Sequence, residues 1–361
     1  MSASNPIPTA RAWADVDLGA LVANARTVLS VSGSRLLPMV KANAYGTGAV
    51  EATRALEVLD PWGYGVATVE EGVELRHAGI RRPVVVFSPL TPDTADICVR
   101  EELRPVAGDL DGLRMWLARS DRPFHVEIDT GMGRLGVPWQ DREQVAEAGR
   151  LLASAPGWEG VFTHFHSADT NADSVREQWD RFTSVIGSLP RRPALVHAAN
   201  SAAALRGRPY AGDLVRPGIF LYGGSAGHSM APRTVVRFRA PVVASRRLAA
   251  GDSVSYAATW RAGHPTTVVT LAAGYADGLP RSLSGTGSVE LAGALRPIVG
   301  RVTMDFTMVE VGDAEVALGT VATIYGGAVS LDAQAAAGRT ISYELLTGLS
   351  SRVRRRYAEG A

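Results

Sequence analysis

Up to about residue 223, short β-rich runs alternate with stretches in which apolar residues recur at every third and fourth position. The runs are WADVD, LLPMVKA, GYGVA, PVVVFS, RPVAG, FHVEIDT, WEGVFTHF, ALVHAA and VRPGIFLYG; two of the amphipathic stretches cover Ala49 to Leu59 and Glu70 to Ala78. Alternation predicts strands and the longer period predicts helices. Repeated βα units predict a parallel sheet, and about eight of them predict its closure into a barrel.

After Tyr222-Gly223-Gly224 the pattern changes to long alternating runs, VVRFRAPVVASRRL, TTVVTLAAGYADG, RPIVGRVTMDFTMVEVG and TVATIYGG, punctuated by glycine. The stretch Gly223 to Ser229 reads as a linker. The fold class is therefore α/β: an N-terminal (β/α)8 TIM-type barrel over residues 1–228 and a mainly β domain over 229–361. Two helices are expected to close the second domain, one near Asp332 to Ala336 and one from Ser342 to Arg355, the last free to pack back on the barrel.

The chain has 361 residues, 46% of them hydrophobic, ample material for buried cores without staples. A formal net charge of +1 removes any long-range field toward nucleic acid or an anionic membrane. The one basic run, Arg352 to Arg356, is assigned to the end of a helix or to local pairs rather than to nucleic acid. Cys98 is the only cysteine, which excludes a disulfide framework and fits a reducing cytosol. No leader-like or membrane-length apolar run is visible, so the chain is expected to be soluble and cytoplasmic.

Charge usage holds one anomaly. Of 37 Lys plus Arg, only Lys41 is a lysine, and it follows the apolar run Leu36 to Val40. A guanidinium stays protonated, whereas an amine can be desolvated, lose its proton and attack a carbonyl. In a barrel of this type reactive groups sit at strand C-terminal ends. Lys41, Arg134, His164, His166, Asn200, Ser201, Arg216 and Gly218 all fall there. One amine, two arginines, hydroxyls and exposed backbone at one rim suit an anionic cofactor that reacts with amines, and pyridoxal phosphate is the obvious candidate. His164 and His166 also invite a metal, but no third ligand is evident and none is assigned.

The blocks VKANAYG, DTGMGRLG, THF-x-SAD, ANSAA, VRPGI-x-LYG, VSYAATW, GYADGLPR, GRVTMDFTMVEVG and ISYELLT resemble, in order and spacing, those of the alanine racemase family. The resemblance runs from Trp13 to Tyr357. It implies the two-domain arrangement above, an amino-acid substrate, and a homodimer whose active sites are shared between subunits. Carried over position by position, Lys41 resembles the lysine that binds pyridoxal phosphate covalently and acts as one base, and Tyr256 resembles the second base, given by the other subunit. Racemisation needs such a pair, because a proton leaves one face of the α-carbon and another arrives at the opposite face.

His164 and Arg216 resemble the chain leading to the pyridine nitrogen. Tyr45, Asn200, Ser201, Gly218, Ile219 and Tyr343 resemble the remaining cofactor contacts, with the Gly218 and Ile219 amides on the phosphate. Arg134, Met304 and Tyr275 resemble substrate contacts; Asp169, Arg281 and Arg301 resemble the lining of the access channel. Four positions depart from the family pattern. Glu127 stands where many members carry a carbamylated lysine, Thr47 replaces a histidine, His166 a small residue, and Thr303 a cysteine. Alanine racemisation, supplying D-alanine for peptidoglycan, is the leading expectation. A racemase for another amino acid, a decarboxylase of the same fold type and a non-catalytic cofactor-binding protein stand as alternatives.

Overall fold

The computed structural model describes residues 11–227 and 229–358, which divide into two compact units. Among these, one unit comprises 21–221 with 225–227 and 229–232, and the other comprises 11–20, 222–224 and 233–358.

The first unit is a parallel sheet whose strands run, in order of pairing, Arg35–Leu36, Leu214–Val215, Leu195–His197, Trp158–Phe162, Phe124–Asp129, Arg104–Ala107, Val84–Val86 and Tyr64–Val66. Its ends join. Met39 bridges Gly65, and Gly65 N–H donates to Pro38 O (2.9 Å) while Val40 N–H donates to Gly65 O (2.8 Å). A Cβ on Gly65 would lie 2.5 Å from Met39 Sδ, so the glycine lets the methionine pack against the joint. Leu37, just after the strand Arg35–Leu36, meets Val85, Val106, Phe162, Leu195 and Leu214, each from a different strand, in one buried cluster. The all-valine strand Val84–Val86 is buried throughout, as expected of a parallel strand covered on both faces.

Helix starts in this unit are written into the sequence. The Thr68 hydroxyl accepts from Glu71 N–H while the Glu71 carboxylate accepts from Thr68 N–H, and Thr91 pairs likewise with Thr94. Asp109, Asp141 and Asn171 cap the helices that follow them. Each side-chain oxygen satisfies an amide that has no partner within its helix.

The second unit closes an antiparallel ring through Thr266–Leu271, Thr307–Gly312, Ala294–Val299, Ser288–Leu291, Val321–Tyr325 and Val236–Leu248, which returns to Thr266–Leu271. Register shifts at Phe238/Arg239 and Val242/Ala244 bend the 13-residue strand so that it serves both neighbours.

Two expectations are corrected. WADVD is not a barrel strand: Trp13–Asp17 pairs antiparallel with Val236–Leu248 and parallel with Arg354–Ala358, in the second unit. Nor does a helix run from Ser342 to Arg355; the helix is Ser342–Thr347, and Arg354–Ala358 is a strand. The basic run makes local pairs, with Arg352 on Asp305 (2.7 Å) and the Arg356 guanidinium 4.3 Å from the Trp13 ring centre. The helix near Asp332 is observed as Leu331–Ala337. Among the described residues no helix is long and apolar enough to cross a membrane.

Candidate active site

Lys41 opens a turn of unusual hand. Ala42 (φ 51°), Asn43 (φ 53°), Ala44 (φ 50°) and Tyr45 (φ 53°) are all left-handed, followed by Gly46 (φ 78°). For residues with a Cβ this conformation costs about 1–2 kcal/mol each, so it persists only where its surroundings dictate it. Those surroundings are visible. Glu71 accepts from Ala42 N–H (2.6 Å) and from Ala67 N–H (2.7 Å), Asn43 Oδ1 accepts from Ala49 N–H (2.8 Å), and the Thr47 hydroxyl donates to Ala44 O (2.6 Å). Thr47, one of the four departures, is thus a buried latch on the turn that carries the lysine.

Arg216 is buried at the end of the strand Leu214–Val215. Its guanidinium donates to Thr163 O (2.8 Å) and Ala198 O (3.1 Å), and meets His197 Nδ1 (2.7 Å) and His164 Nδ1 (3.3 Å). A guanidinium has no acceptor, so both imidazole nitrogens accept. No carboxylate pairs with Arg216 among the described residues. Phe162 and Phe87 flank it, 5.0 and 5.9 Å from ring centres.

This crowding of cations in a desolvated space sets the protonation of the site. Burial, aided by Arg134 and Arg216 and opposed by Glu71, lowers the pKa of the Lys41 amine and favours its nucleophilic form. Burial and then Arg216, Arg134 and Lys41 push His164 down to about 3, which keeps it neutral. Burial raises Glu127 to about 7 against the pull of Arg216 and Arg134, and lowers Arg216 to about 10. Arg134, on the loop after Phe124–Asp129, is exposed and makes no hydrogen bond or ion pair among the described residues, leaving its fork open to an anion.

Beside these groups lies a polar cradle. Ser201 Oγ accepts from Gly218 N–H (2.8 Å) and Phe220 N–H (3.4 Å), and a Cβ on Gly218 would sit 2.1 Å from Tyr45 Oη. The Ile219 amide has no acceptor among the described residues. Asn200 Oδ1 accepts from Ala203 N–H (3.1 Å), capping the helix Ser201–Leu205, so its oxygen serves the fold. His164 and His166 diverge in their partners, His166 Nδ1 meeting Ser167 Oγ (2.7 Å). Asp169 is exposed in the same unit.

Tyr256, Tyr275, Arg281, Arg301, Met304 and Tyr343 belong to the second unit. Tyr256 is 72% exposed between left-handed Ser255 (φ 67°) and Ala257 (φ 61°), and Ser255 Oγ donates to Arg301 O (2.8 Å). Tyr275 N–H donates to Thr303 O (2.9 Å) and Ala276 N–H to Met304 O (3.0 Å), which joins those two segments. Asp277, buried beneath them, accepts from Gly274 N–H (3.0 Å) and pairs with Arg11 (2.8 Å). The Thr303 hydroxyl donates to Phe306 O (2.9 Å) and accepts from Phe306 N–H (3.1 Å), so it is consumed within its own loop. Arg281 opens the turn Arg281–Leu283, and Tyr343 lies in the helix Ser342–Thr347.

Sequence reasoning missed Glu71, His125 and His197. The signal was present for the histidines: His125 alternates with Glu127 in FHVEIDT, and His197 ends the strand that precedes Asn200.

A closed βα-barrel with one desolvated amine between a buried and an exposed arginine at its C-terminal rim defines a barrel enzyme built around that amine. The chain matches the alanine racemase N-terminal domain over residues 16–226 and the alanine racemase C-terminal domain over 235–357, and it belongs to the alanine racemase family, a family of isomerases. It is 40% identical to an alanine racemase of Symbiobacterium thermophilum, over 96% of each chain. It is 38% identical to that of Deinococcus radiodurans, over 96% of this chain and 99% of the other. Among solved structures it resembles the alanine racemase of a D-cycloserine-producing Streptomyces lavendulae (33% identity, TM-score 0.89, 97% and 98% covered). It also resembles that of Bartonella henselae with covalently bound pyridoxal phosphate (29% identity, TM-score 0.90, 97% and 100% covered).

Proposed function

We propose that the protein is a pyridoxal phosphate-dependent alanine racemase of the cytoplasm, interconverting L- and D-alanine and so supplying D-alanine for peptidoglycan. The observation that carries this reading is the desolvated amine of Lys41, the only lysine, held by a latched left-handed turn beside Arg134 and Arg216.

The residues present fit the cofactor. The Ser201 hydroxyl, the Ile219 amide and the Tyr45 phenol seated against Gly218 suit a phosphate, and Tyr343 is assigned there by resemblance. When bound, pyridoxal phosphate supplies the carbonyl that joins the amine of the amino acid and the ring that acidifies its α-proton. Arg216 can only donate, so a ring nitrogen facing it would be an unprotonated acceptor. Lys41 holds or delivers the proton on one face of the α-carbon. Tyr256, exposed on its own unit, does so on the other face from a second subunit of a homodimer. Arg134 and the Met304 amide, neither engaged elsewhere among the described residues, receive the carboxylate. Glu127 stands in place of a carbamylated lysine, its carboxyl within electrostatic reach of Arg134. Tyr275, Asp169, Arg281 and Arg301 line the approach.

A racemase of the same mechanism for a larger or more polar amino acid is the second reading, favoured by the exposed imidazole of His166 in the barrel unit. The internally satisfied hydroxyl of Thr303 does not add to it. The test is α-proton exchange in heavy water, read by NMR on a panel of single-enantiomer amino acids. Exchange with inversion of alanine alone supports the first reading; inversion of another amino acid supports the second. Loss of the carboxylate would make it a decarboxylase, and binding without exchange would make it a carrier.

A further inference from the structure

A line of hydrogen bonds leaves Arg216 and crosses the barrel to its opposite end. Arg216 Nη1 meets His197 Nδ1 (2.7 Å), His197 Nε2 meets His125 Nδ1 (2.8 Å), and His125 Nε2 meets Glu159 Oε2 at a longer 3.4 Å. Arg104 Nε lies 3.5 Å from the same Glu159 oxygen. His197 ends its strand, whereas His125, Glu159 and Arg104 are the second, second and first residues of theirs, so the line joins the reactive rim to the N-terminal rim.

Its direction is fixed by chemistry. Arg216 only donates, so His197 Nδ1 accepts and His197 carries its proton on Nε2. That proton goes to His125 Nδ1, which leaves the His125 proton on Nε2, aimed at the carboxylate of Glu159. Both imidazoles are completely buried, and burial holds both below the usual histidine pKa, so both are neutral. Phe162 stacks on His197 (centres 4.9 Å apart, planes at 14°), and Gly160 gives His125 its room, since a Cβ there would lie 2.6 Å from His125 Nδ1. Arg216 has no direct carboxylate partner; the relay ends on one.

We propose that Glu159 is a positioning residue for Arg216, holding its orientation by anchoring His125 and, through it, His197. The proposal takes from the functional reading only that Arg216 faces the cofactor.

The test uses ¹⁵N-labelled full-length protein, first without cofactor, with the imidazole signals of His125 and His197 assigned by substitution. Both rings should be Nε2–H tautomers that titrate only below the ordinary histidine range. Glu159→Leu should shift the His125 Nε2 signal, move the His197 signals as the ring it bonds loosens, and weaken pyridoxal phosphate binding by about tenfold or more, because the buried His125 Nε2–H is left unmet. Glu159→Gln, which still offers an acceptor, should restore all three. Unchanged His197 signals and affinity in Glu159→Leu would overturn the proposal. If Glu159→Leu does not fold, Gly160→Ala serves: it should push His125 off its bonds to Glu159 and His197 and shift the His197 signals, and unaltered His197 signals would again overturn it. The tautomers are read without turnover, so a racemase with unlinked histidines refutes the relay alone, and a linked relay in a protein that racemises nothing refutes only the functional reading.

Discussion

The phenol of Tyr45 rests against the backbone of Gly218 so closely that a Cβ at residue 218 would come within 2.1 Å of Tyr45 Oη and 2.8 Å of its Cζ. Two loops that follow different barrel strands are fitted to each other here. Gly218 does not occupy a left-handed backbone region, so alanine is sterically excluded only by that phenol. Gly218→Ala should fold but turn Tyr45 out of the cradle and weaken pyridoxal phosphate binding by about tenfold or more, since a misplaced contact loses its preorganisation. Cofactor titration followed by visible absorbance, beside a thermal melt, checks this. Unchanged affinity would remove the pair from the phosphate site.

Lys41→Arg keeps the positive charge and removes the only side-chain amine. Borohydride treatment of the cofactor-loaded protein should add the cofactor mass to wild type and not to the variant, with racemisation reduced on the order of a thousandfold or more. Covalent labelling of the arginine variant would mean that the chemistry lies elsewhere.

One half-buried and one buried group give the cofactor-free protein opposing pH dependences. His164 is held neutral, with its pKa brought from 6.5 to about 3; between those values the unfolded chain binds more protons, so stability is lost as pH falls. Glu127 is raised from 4.5 to about 7; there the folded chain binds more protons, so stability is lost as pH rises through that window. Each effect is at most about 1.4 kcal/mol per pH unit. Glu127→Gln should therefore flatten the decline between about pH 5 and 7 and leave the acid limb in place, whereas His164→Asn should flatten the acid limb. Urea melts across pH 3 to 8 would read both, and a Glu127→Gln curve parallel to wild type would show that its carboxyl titrates alike in both states.

The barrel rhythm was legible because valine-rich runs separated by capped helices admit few other folds, and Lys41 stood out because every other basic side chain is an arginine. WADVD was misassigned for a physical reason: five alternating residues specify a strand and its buried face, but not which sheet completes it. The sequence of Ser342 to Arg355 carries helical spacing only as far as Thr347, beyond which pairing with Trp13–Asp17 decides the outcome. The left-handed turn after Lys41 was invisible, since Ala-Asn-Ala-Tyr contains no glycine and its shape is held by the distant Glu71 together with Asn43 and Thr47 close by. Thr47 therefore read as an unexplained departure until its hydroxyl was seen on Ala44 O.

Whether the second base comes from another subunit can be decided by complementation. Lys41→Ala and Tyr256→Phe proteins should each be nearly inactive as homodimers if each residue is a base. In a shared-site dimer, a mixed pair holds one site with both defects and one with neither. Random reassociation makes about half the dimers mixed, so with one intact site of two the mixture should regain about a quarter of wild-type activity. Sites built within single subunits would contain a defect in every chain and regain nothing. Activity measured after co-refolding equal amounts of the two variants separates these outcomes, and no recovery, with mixed dimers verified by mass, would return Tyr256 to the subunit that carries Lys41 or remove it from the mechanism.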